Sequence, residues 1–393
     1  ALERLGRAGG PDLARVLGVS PATLSRAVRA AGDTVCRMGR RRGAQYALRR
    51  RIAGLPLRIP VFRVEPDGRP VRLGDLDPLR DGAHWLAFSD GTGRLFEGTP
   101  PFVADMQPQG YLGAGFARRH PDLGLPSRLI DWNDDHRLIA LVHRGEDCVG
   151  NLILGEPAFE RFQAARRAGV EPVADECYPE LADVALERPA GSAAGGEHPK
   201  FAAYGETADA PVLVKFPPET TEAAVERWRD LLVSEALALD TLRDHGMDVA
   251  ATRVLDVHGR RFLESVRFDR VGAFGRCGVV SLAAFDAEYV GVGSDWTRAA
   301  EALHHQRLLG GDDLERVRFA DVFGRLIGNT DRHLGNLSFH CRDPSAYGAG
   351  LRLAPIYDML PMAYAPAGGR LPGATFDPDP PRAPELEVWP GAL

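Results

Sequence analysis

The chain has 393 residues, of which 44% are hydrophobic and 26% are charged, and its net charge is −6. The length is enough for two or three domains with their own cores, and the composition is that of an ordinary globular protein. The sequence has no apolar run of membrane-spanning length and no signal peptide, so we expect a cytoplasmic protein without membrane partners. Its five cysteines include no C-x-x-C pair, which argues against disulfides and zinc sites.

The first 52 residues form a basic segment. They contain twelve arginines and three acidic residues, a net charge of +9, so the remainder of the chain carries −15. This asymmetry predicts that the basic segment meets a polyanion and that the acidic remainder does not.

The basic segment has the pattern of a winged helix-turn-helix. A short amphipathic helix over 12–17, with its inward side chains at Leu13, Val16 and Leu17, precedes a tight turn at Gly18–Ser20. A second helix over 21–30 is expected to bury Leu24, Ala27 and Val28. The exposed side chains of this recognition helix that we expect to reach DNA are Thr23, Ser25, Arg26 and Arg29.

An arginine-rich turn between two short strands follows the recognition helix. Its composition is typical of a wing that contacts phosphates, and the candidate residues are Arg37, Arg40, Arg41 and Arg42. We therefore expect the segment to bind duplex DNA, with a homodimer as a further expectation. A helix-turn-helix also serves dimerisation without DNA, and a small helical interaction domain with a basic tail remains a second interpretation.

We call residues 1–52 the basic head. The segment that follows, 54–190, is predicted to contain mostly strands in its first part and helices in its second part. Turn signals recur at 66–68, 80–83 and 89–93, with short apolar runs between them. The histidines at 136, 143, 304 and 305 lack metal-ligand spacing, and we assign them no site.

Only two of the 48 basic residues are lysines, Lys200 and Lys215. In a chain so biased towards arginine, a retained lysine indicates a position that needs a compact ammonium group, such as a phosphate contact. Lys215 ends the apolar run PVLVKFP, which predicts a strand. Lys200 follows a glycine-rich turn in which Gly195 and Gly196 would let the backbone approach phosphate groups.

The most informative string is NTDRHLGN at 329–336, followed by LAPIYDM at 353–359. Phosphoryl transfer needs a carboxylate that orients or deprotonates the attacking hydroxyl, for which Asp331 is suited. It also needs amide and carboxylate oxygens to hold Mg²⁺ against the nucleotide, for which Asn336 and Asp358 are suited. His333 lies between them, where an imidazole would support the loop or the developing charge.

Together these motifs resemble the HipA family of serine/threonine kinases, the toxin side of many bacterial toxin–antitoxin pairs. The resemblance rests on GGEHPK at 195–200, VKFP at 214–217, VRFDR at 266–270 and the two C-terminal motifs. It implies that Lys215 is the ATP lysine, that Glu235 on a helix over 222–245 steadies it, and that Phe268 lies just after the adenine hinge. It also implies a regulatory serine in the glycine-rich loop. The usual position of that serine is Ala193 here, and Ser192 is the nearest hydroxyl.

The resemblance implies an α+β chain in which the winged helix-turn-helix is followed by a two-lobed HipA-like protein-kinase fold. The expected domains are the head at 1–52, a HipA-like N-terminal subdomain at 53–190, a nucleotide-binding lobe at 191–280 and a mostly helical catalytic lobe at 281–393. The tail after Tyr364 is rich in proline and glycine. It does not look like a finished domain, and we expect a truncated C-terminus.

The expected function is an ATP- and Mg²⁺-dependent serine/threonine protein kinase with a head that autoregulates its operon. The resemblance implies a protein substrate of the class of translation factors such as aminoacyl-tRNA synthetases. Three alternatives stay open: a transcription regulator whose kinase-like body senses nucleotide, a lipid or small-molecule kinase, and a metal-dependent nuclease.

Overall fold

The computed structural model describes residues 1–40, 43–187, 198–218, 221–293, 295–341, 350–367, 370–373 and 380–392. The chain divides into two compact units. The first comprises Ala1–Glu65, Arg69–Gln107 and Trp132–Arg167, and the second comprises Pro66–Gly68, Pro108–Asp131 and Ala168–Leu393. Five candidate residues lie outside the described residues: Arg41, Arg42, Ser192, Gly195 and Gly196.

The described helices and strands are mixed along the chain. The helices are α1 (Leu2–Leu5), α2 (Gly10–Leu17), α3 (Pro21–Ala30), α4 (Pro101–Met106), α5 (Gly110–Ala114), α6 (Phe116–Arg119), α7 (Asp134–Arg144), α8 (Glu156–Ala168), α9 (Tyr178–Glu187), α10 (Glu222–Asp244), α11 (Leu282–Phe285), α12 (Trp296–His305), α13 (Gly311–Leu326) and α14 (Trp389–Ala392). The strands are β1 (Arg7–Gly9), β2 (Val35–Met38), β3 (Gln45–Leu48), β4 (Ile59–Val64), β5 (Pro70–Pro78), β6 (His84–Phe88), β7 (Gly93–Phe96), β8 (Leu152–Leu154), β9 (Lys200–Gly205), β10 (Ala210–Lys215), β11 (Thr252–Val257), β12 (Arg260–Val266), β13 (Arg270–Val271), β14 (Gly275–Arg276), β15 (Val279–Ser281), β16 (Ser338–His340) and β17 (Arg352–Leu353).

The basic head combines α2 and α3 with an antiparallel sheet of order β1-β3-β2. The helix predicted over 21–30 is confirmed, and the Ser20 hydroxyl caps it by accepting the Thr23 N–H at 3.2 Å. The left-handed Gly18, with φ 65°, ends α2, as the turn signal predicted.

Part of the predicted core of the head is wrong. Leu13 and Leu24 are buried as expected, but Val16 and Leu17 are 42% and 47% exposed, and Ala27 is exposed too. The reason is that α2 ends at Gly18 and the short α3 offers mainly Leu24 for packing, so the last turn of α2 extends past this small core.

The head continues into a five-stranded antiparallel sheet of order β7-β6-β5-β4-β8. The two share a buried cluster that joins Cys36, Met38 and Ala47 of the head to Leu79 and Ala83 in the connection between β5 and β6. The first unit therefore has one continuous core across residue 52.

A buried ion pair lies beside this shared core. The Arg49 guanidinium donates to the Asp77 carboxylate at 2.9 and 3.1 Å and to the carbonyl oxygens of Asp33 and Val35 at 2.7 and 3.0 Å. Burial, together with the charge of Asp77, raises the pKa of the Cys36 thiol, which donates to the same carboxylate. Because every partner is satisfied, this charge pair is compatible with its burial.

The second unit contains an antiparallel sheet of order β11-β12-β10-β9. Strand alternation in β10 sends Val212 and Val214 into a cluster with Tyr178 and Phe201, whereas Lys215 faces the carboxylate of Glu235 on α10. The strand at Lys215 and the helix over 222–245 are thus present as predicted, with α10 ending at Asp244.

The C-terminal part of this unit is mainly helical and includes a small sheet of order β15-β16-β17. Its helix α13 delivers the NTDRHLGN motif, because Gly328, with φ 78°, turns the chain at the helix end. The described part of the tail after Tyr364 packs on α13, where the buried Glu385 pairs with Arg325. No described helix is both long and apolar enough to cross a bilayer.

Gly74 in β5 offers a test of the packing of the five-stranded sheet. A Cβ at this position would overlap the carbonyl oxygen of Ala87 on β6, so we expect Gly74→Ala to lower the free energy of unfolding by about 1–3 kcal/mol or more. The matched control is Gly98→Ala in the same unit, because Gly98 is exposed and has open space around it. Thermal unfolding of the full chain would measure both, and equal stabilities would contradict the described register.

Candidate functional site

A buried lysine with two carboxylate partners forms the centre of the candidate site. Lys215 ends β10, and its Nζ lies 2.7 and 2.8 Å from the two carboxylate oxygens of Glu235 on α10. The same ammonium contacts the carboxylate of Asp358. Three elements distant in sequence therefore meet at one cation.

Lys215 and Asp358 hold each other in the ionised form, whereas burial and the charge of Asp358 raise the pKa of Glu235. Burial alone would lower the pKa of Lys215, but the carboxylates of Asp358 and Glu235 outweigh it and raise that pKa. Burial would likewise raise the pKa of Asp358, but the charge of Lys215 overcomes it and lowers that pKa well below its ordinary value. Lys215 stays protonated and Asp358 stays a carboxylate at neutral pH.

Asp358 adopts an unusual backbone conformation. Its φ is 53°, in the left-handed region that a residue with a Cβ seldom adopts. The preceding residue, Tyr357, is anchored by its hydroxyl to the carbonyl of Gly335 at 2.9 Å and to Ser338 at 2.8 Å. This anchoring holds the segment next to Asp358, whose carboxylate contacts Lys215.

The loop after α13 presents Asp331 beside His333. Their side chains are 54% and 60% exposed, and His333 Nε2 lies 4.0 Å from Asp331 Oδ1. His333 Nδ1 accepts the Gly335 N–H at 3.0 Å, so a neutral ring carries its proton on Nε2, the nitrogen nearer Asp331. The loop therefore combines an accessible carboxylate with an adjacent N–H donor.

Asn336 completes the loop. Its Nδ2 donates to the Asp331 carbonyl at 2.9 Å, which leaves its Oδ1 available for another partner. An amide oxygen and an ionised carboxylate are ligands that Mg²⁺ accepts, together with water and phosphate oxygens. Among the described residues, no three His, Cys, Asp or Glu side chains form a metal site by themselves. Asn336 and Asp358 thus fit a Mg²⁺ ion that nucleotide phosphates help to hold.

The sequence analysis did not predict the buried residues that hold the loop of Asp331 and His333 in place. Arg332 donates to the buried Asp321 of α13 at 3.0 Å, and Thr297 donates to the other oxygen of that carboxylate at 2.8 Å. Trp296 Nε1 donates to the His333 carbonyl at 2.9 Å. The one available signal was Asp321 itself, an acidic residue in the otherwise apolar stretch ADVFGRLIG.

The remaining nucleotide candidates lie around the same sheet. Lys200 on β9 is directly opposite Lys215 in the antiparallel register and is half-buried. Phe268 follows β12 and packs on Tyr357, with ring centres 5.5 Å apart. Because Tyr357 directly precedes Asp358, this contact brings Phe268 near the Lys215 cluster.

A buried histidine next to Lys200 was not predicted. His198 packs against Trp228 of α10 with ring centres 4.1 Å apart. Burial and the charges of Lys215 and Lys200 lower the pKa of His198, so its ring is neutral.

The DNA candidates lie in the first unit. Ser25, Arg26 and Arg29 are exposed on α3, and Arg37 is exposed on β2. The Thr23 hydroxyl bonds with Ser20 at 3.0 Å and accepts from Arg26 at 3.3 Å. Arg40 is engaged within the protein, because its guanidinium donates to the carbonyl oxygens of Asp90 and Gly91.

Comparison with known proteins assigns the family. The middle-domain model of YjjJ-like toxins matches residues 55–163, and the HipA-like C-terminal domain model matches residues 192–378. Toxin YjjJ of Escherichia coli K12 is 36% identical over 376 residues, which cover 93% of this chain and 83% of that protein.

A solved structure supports the fold. The HipA of a Shewanella oneidensis MR-1 toxin–antitoxin system, determined with HipB and its operator DNA, superposes with a TM-score of 0.53 at 15% identity. The match covers 78% of this chain and 76% of that HipA. From the family models and the extent of identity to toxin YjjJ, the chain belongs to the YjjJ-like toxins of the HipA family.

Proposed function

We propose that this protein transfers the γ-phosphoryl group of ATP to a serine or threonine hydroxyl of another protein, with Mg²⁺. The observation that carries the proposal is the buried Lys215 paired with Glu235 and in contact with Asp358. A lysine held by a helix carboxylate, near a metal-binding aspartate, is the arrangement by which protein kinases hold nucleotide phosphates. Membership of a toxin family with a HipA-like C-terminal domain supports the same reaction.

Each residue has a defined part in this proposal. Lys215 donates to phosphate oxygens, and Glu235 keeps its ammonium in place. Asp331 accepts the proton of the attacking hydroxyl as the new P–O bond forms and the bond to ADP breaks. His333 Nε2–H faces that carboxylate and steadies its orientation.

The other candidates bind rather than react. Asn336 Oδ1 and Asp358 hold Mg²⁺, which when bound neutralises charge on the phosphates. Lys200 adds a second cation near the phosphates, and Phe268 lies along the adenine side. The protein substrate is of the class of translation factors or aminoacyl-tRNA synthetases, as the family resemblance implies.

Exchanging Asp331 for Asn tests the base. The amide cannot accept the hydroxyl proton, so we expect Asp331→Asn to lower phosphoryl transfer by about 10²–10⁴-fold while ATP affinity stays nearly unchanged. Asp358→Ala should instead weaken Mg²⁺–ATP binding itself. Label transfer from radiolabelled ATP in a cell extract, with nucleotide binding by calorimetry, measures both effects. Equal transfer by wild type and Asp331→Asn would refute the assignment. ATP binding without transfer by the wild type would favour a nucleotide-sensing regulator.

We propose that Ser192 is a regulatory phosphorylation site of the same kinase. The family resemblance implies a regulatory serine in this glycine-rich loop. A phosphate on Ser192 would add roughly two negative charges of the same sign as those of ATP and should weaken nucleotide binding. Mass spectrometry after incubation with Mg²⁺–ATP would detect the modification, with Asp331→Asn as the inactive control. Phosphate on other residues, with Ser192 unmodified under active conditions, would count against this role.

We propose further that the head binds duplex DNA and regulates the protein's own operon. The support is the exposed arginines of α3 and β2, on a head whose net charge is +9. The HipA that superposes on this chain was itself solved with HipB and operator DNA, and on this ground the proposal extends to an antitoxin partner. A homodimer on a palindromic site is a further part of the proposal, because helix-turn-helix proteins commonly bind DNA as dimers.

Salt and arginine substitutions test DNA binding. We expect the affinity of the full chain for its upstream DNA to fall by about an order of magnitude or more between low and physiological salt. Arg26→Ala should change sequence preference, whereas Arg37→Ala should weaken binding to all sequences alike. Arg15→Ala is the control, because Arg15 is paired with Asp12 on α2. Mobility shifts measure these effects, and no shift at low salt would leave the head as a protein-contact module.

A further inference from the structure

Asn329 lies at the junction of the two halves of the candidate site. Its side chain is buried, with 1% of the residue exposed, immediately after the turn at Gly328. Its backbone N–H donates to the Gly324 carbonyl at 2.8 Å, so the end of α13 fixes its position. The residue is thus attached to a rigid element rather than to a free loop.

The side-chain amide of Asn329 has a different partner at each end. Its Oδ1 accepts the backbone N–H of Asp331 at 3.0 Å, and its Nδ2 donates to the backbone carbonyl of Asp358 at 3.3 Å. Nδ2 also lies 3.5 Å from the sulfur of Met359. One planar group therefore connects the loop of the proposed base to the segment of the proposed metal ligand.

Both attached segments depend on this connection. Asp358 has a left-handed φ of 53°, and its carbonyl would rotate if the residue relaxed towards negative φ, carrying the carboxylate away from Lys215. Asp331 has a largely exposed side chain, so its position is set through its backbone, by Asn329 at the N–H and Asn336 at the carbonyl. Fixing the two backbones fixes the positions from which the two carboxylates project.

Only an amide of this length performs both tasks. An aspartate at 329 would keep an acceptor for the Asp331 N–H but would lose the donor to the Asp358 carbonyl, and alanine would lose both. Misplacement of a reacting group by about 1 Å is enough to cost a factor on the order of 10² in rate. A small change in this amide therefore has a large expected effect on phosphoryl transfer.

We propose that Asn329 is a positioning residue that sets the distance between the base Asp331 and the metal ligand Asp358. The inference rests on the proposed kinase function, which it deepens. It predicts that the two backbone hydrogen bonds can be lost separately. Loss of the hydrogen bond to the Asp358 carbonyl should alter the Mg²⁺ dependence of activity. Loss of the hydrogen bond from the Asp331 N–H should alter the turnover rate.

The experiment compares Asn329→Asp and Asn329→Ala in the full chain with Leu303→Ala, a fully buried residue of α12 outside the site. We expect Asn329→Ala to lower kcat by about 10-fold or more, because the base is misplaced. We expect Asn329→Asp to raise the Mg²⁺ concentration needed for half-maximal activity, although its added negative charge should by itself favour a cation. Leu303→Ala lowers stability without either kinetic change.

Hydrogen exchange followed by mass spectrometry reports on the connection without relying on activity. The Asp331 amide should stay protected in Asn329→Asp and in Leu303→Ala, and should exchange faster in Asn329→Ala, all measured on protein that remains folded. If kcat, Mg²⁺ dependence and exchange in both Asn329 variants match those of Leu303→Ala, the inference is overturned. If the wild type transfers no phosphate while the exchange pattern holds, the kinase proposal fails and the connection stands.

Discussion

The second unit is organised around one buried ammonium group. Lys215 would be costly to bury alone, and it is stable there because Glu235 and Asp358 both contact it. Each carboxylate comes from a separate element, so the cluster fixes the strand, the helix and the C-terminal segment relative to one another. Replacing the lysine would leave two buried or half-buried carboxylates side by side. In the proposed kinase, the geometry that stabilises the unit would also present the Lys215 ammonium to nucleotide phosphates.

A second set of polar contacts holds the exposed loop that contains Asp331 and His333. Asp321, fully buried, is bonded by Thr297 and Arg332, and Trp296 holds the His333 carbonyl. These contacts restrict the backbone of the loop, whereas the carboxylate of Asp331 remains exposed to solvent. In the proposed protein kinase, an acceptor would approach a carboxylate on a fixed backbone without having to order it first, which would lower the entropic cost of a productive encounter.

Local patterns in the sequence predicted the parts that depend on neighbours along the chain. The α3 helix follows from its Ser20 cap and Pro21, whereas α10 was expected from the family resemblance. The motif around Asp331 was visible because its residues are adjacent in sequence. The contacts of Asn329 with Asp358 and of Arg49 with Asp77 were not visible, because each joins segments about thirty residues apart and no local pattern records such a contact. The exposure of Val16 and Leu17 was missed because amphipathic spacing predicts a face but not the extent of the surface that covers it.

The buried pair of Arg49 and Asp77 restricts where a recombination event could replace the basic head. Arg49 lies in the basic head, and Asp77, the carboxylate that accepts its hydrogen bonds among the described residues, lies near the end of β5. A recombination point near residue 52 would therefore separate the two charges. A hybrid formed there would also combine Cys36 and Ala47 with a foreign surface in place of Leu79 and Ala83. Under the proposed DNA-binding role, new specificities should therefore arise by substitutions on α3, or by exchange of a segment that extends past residue 83, rather than by exchange of residues 1–52 alone.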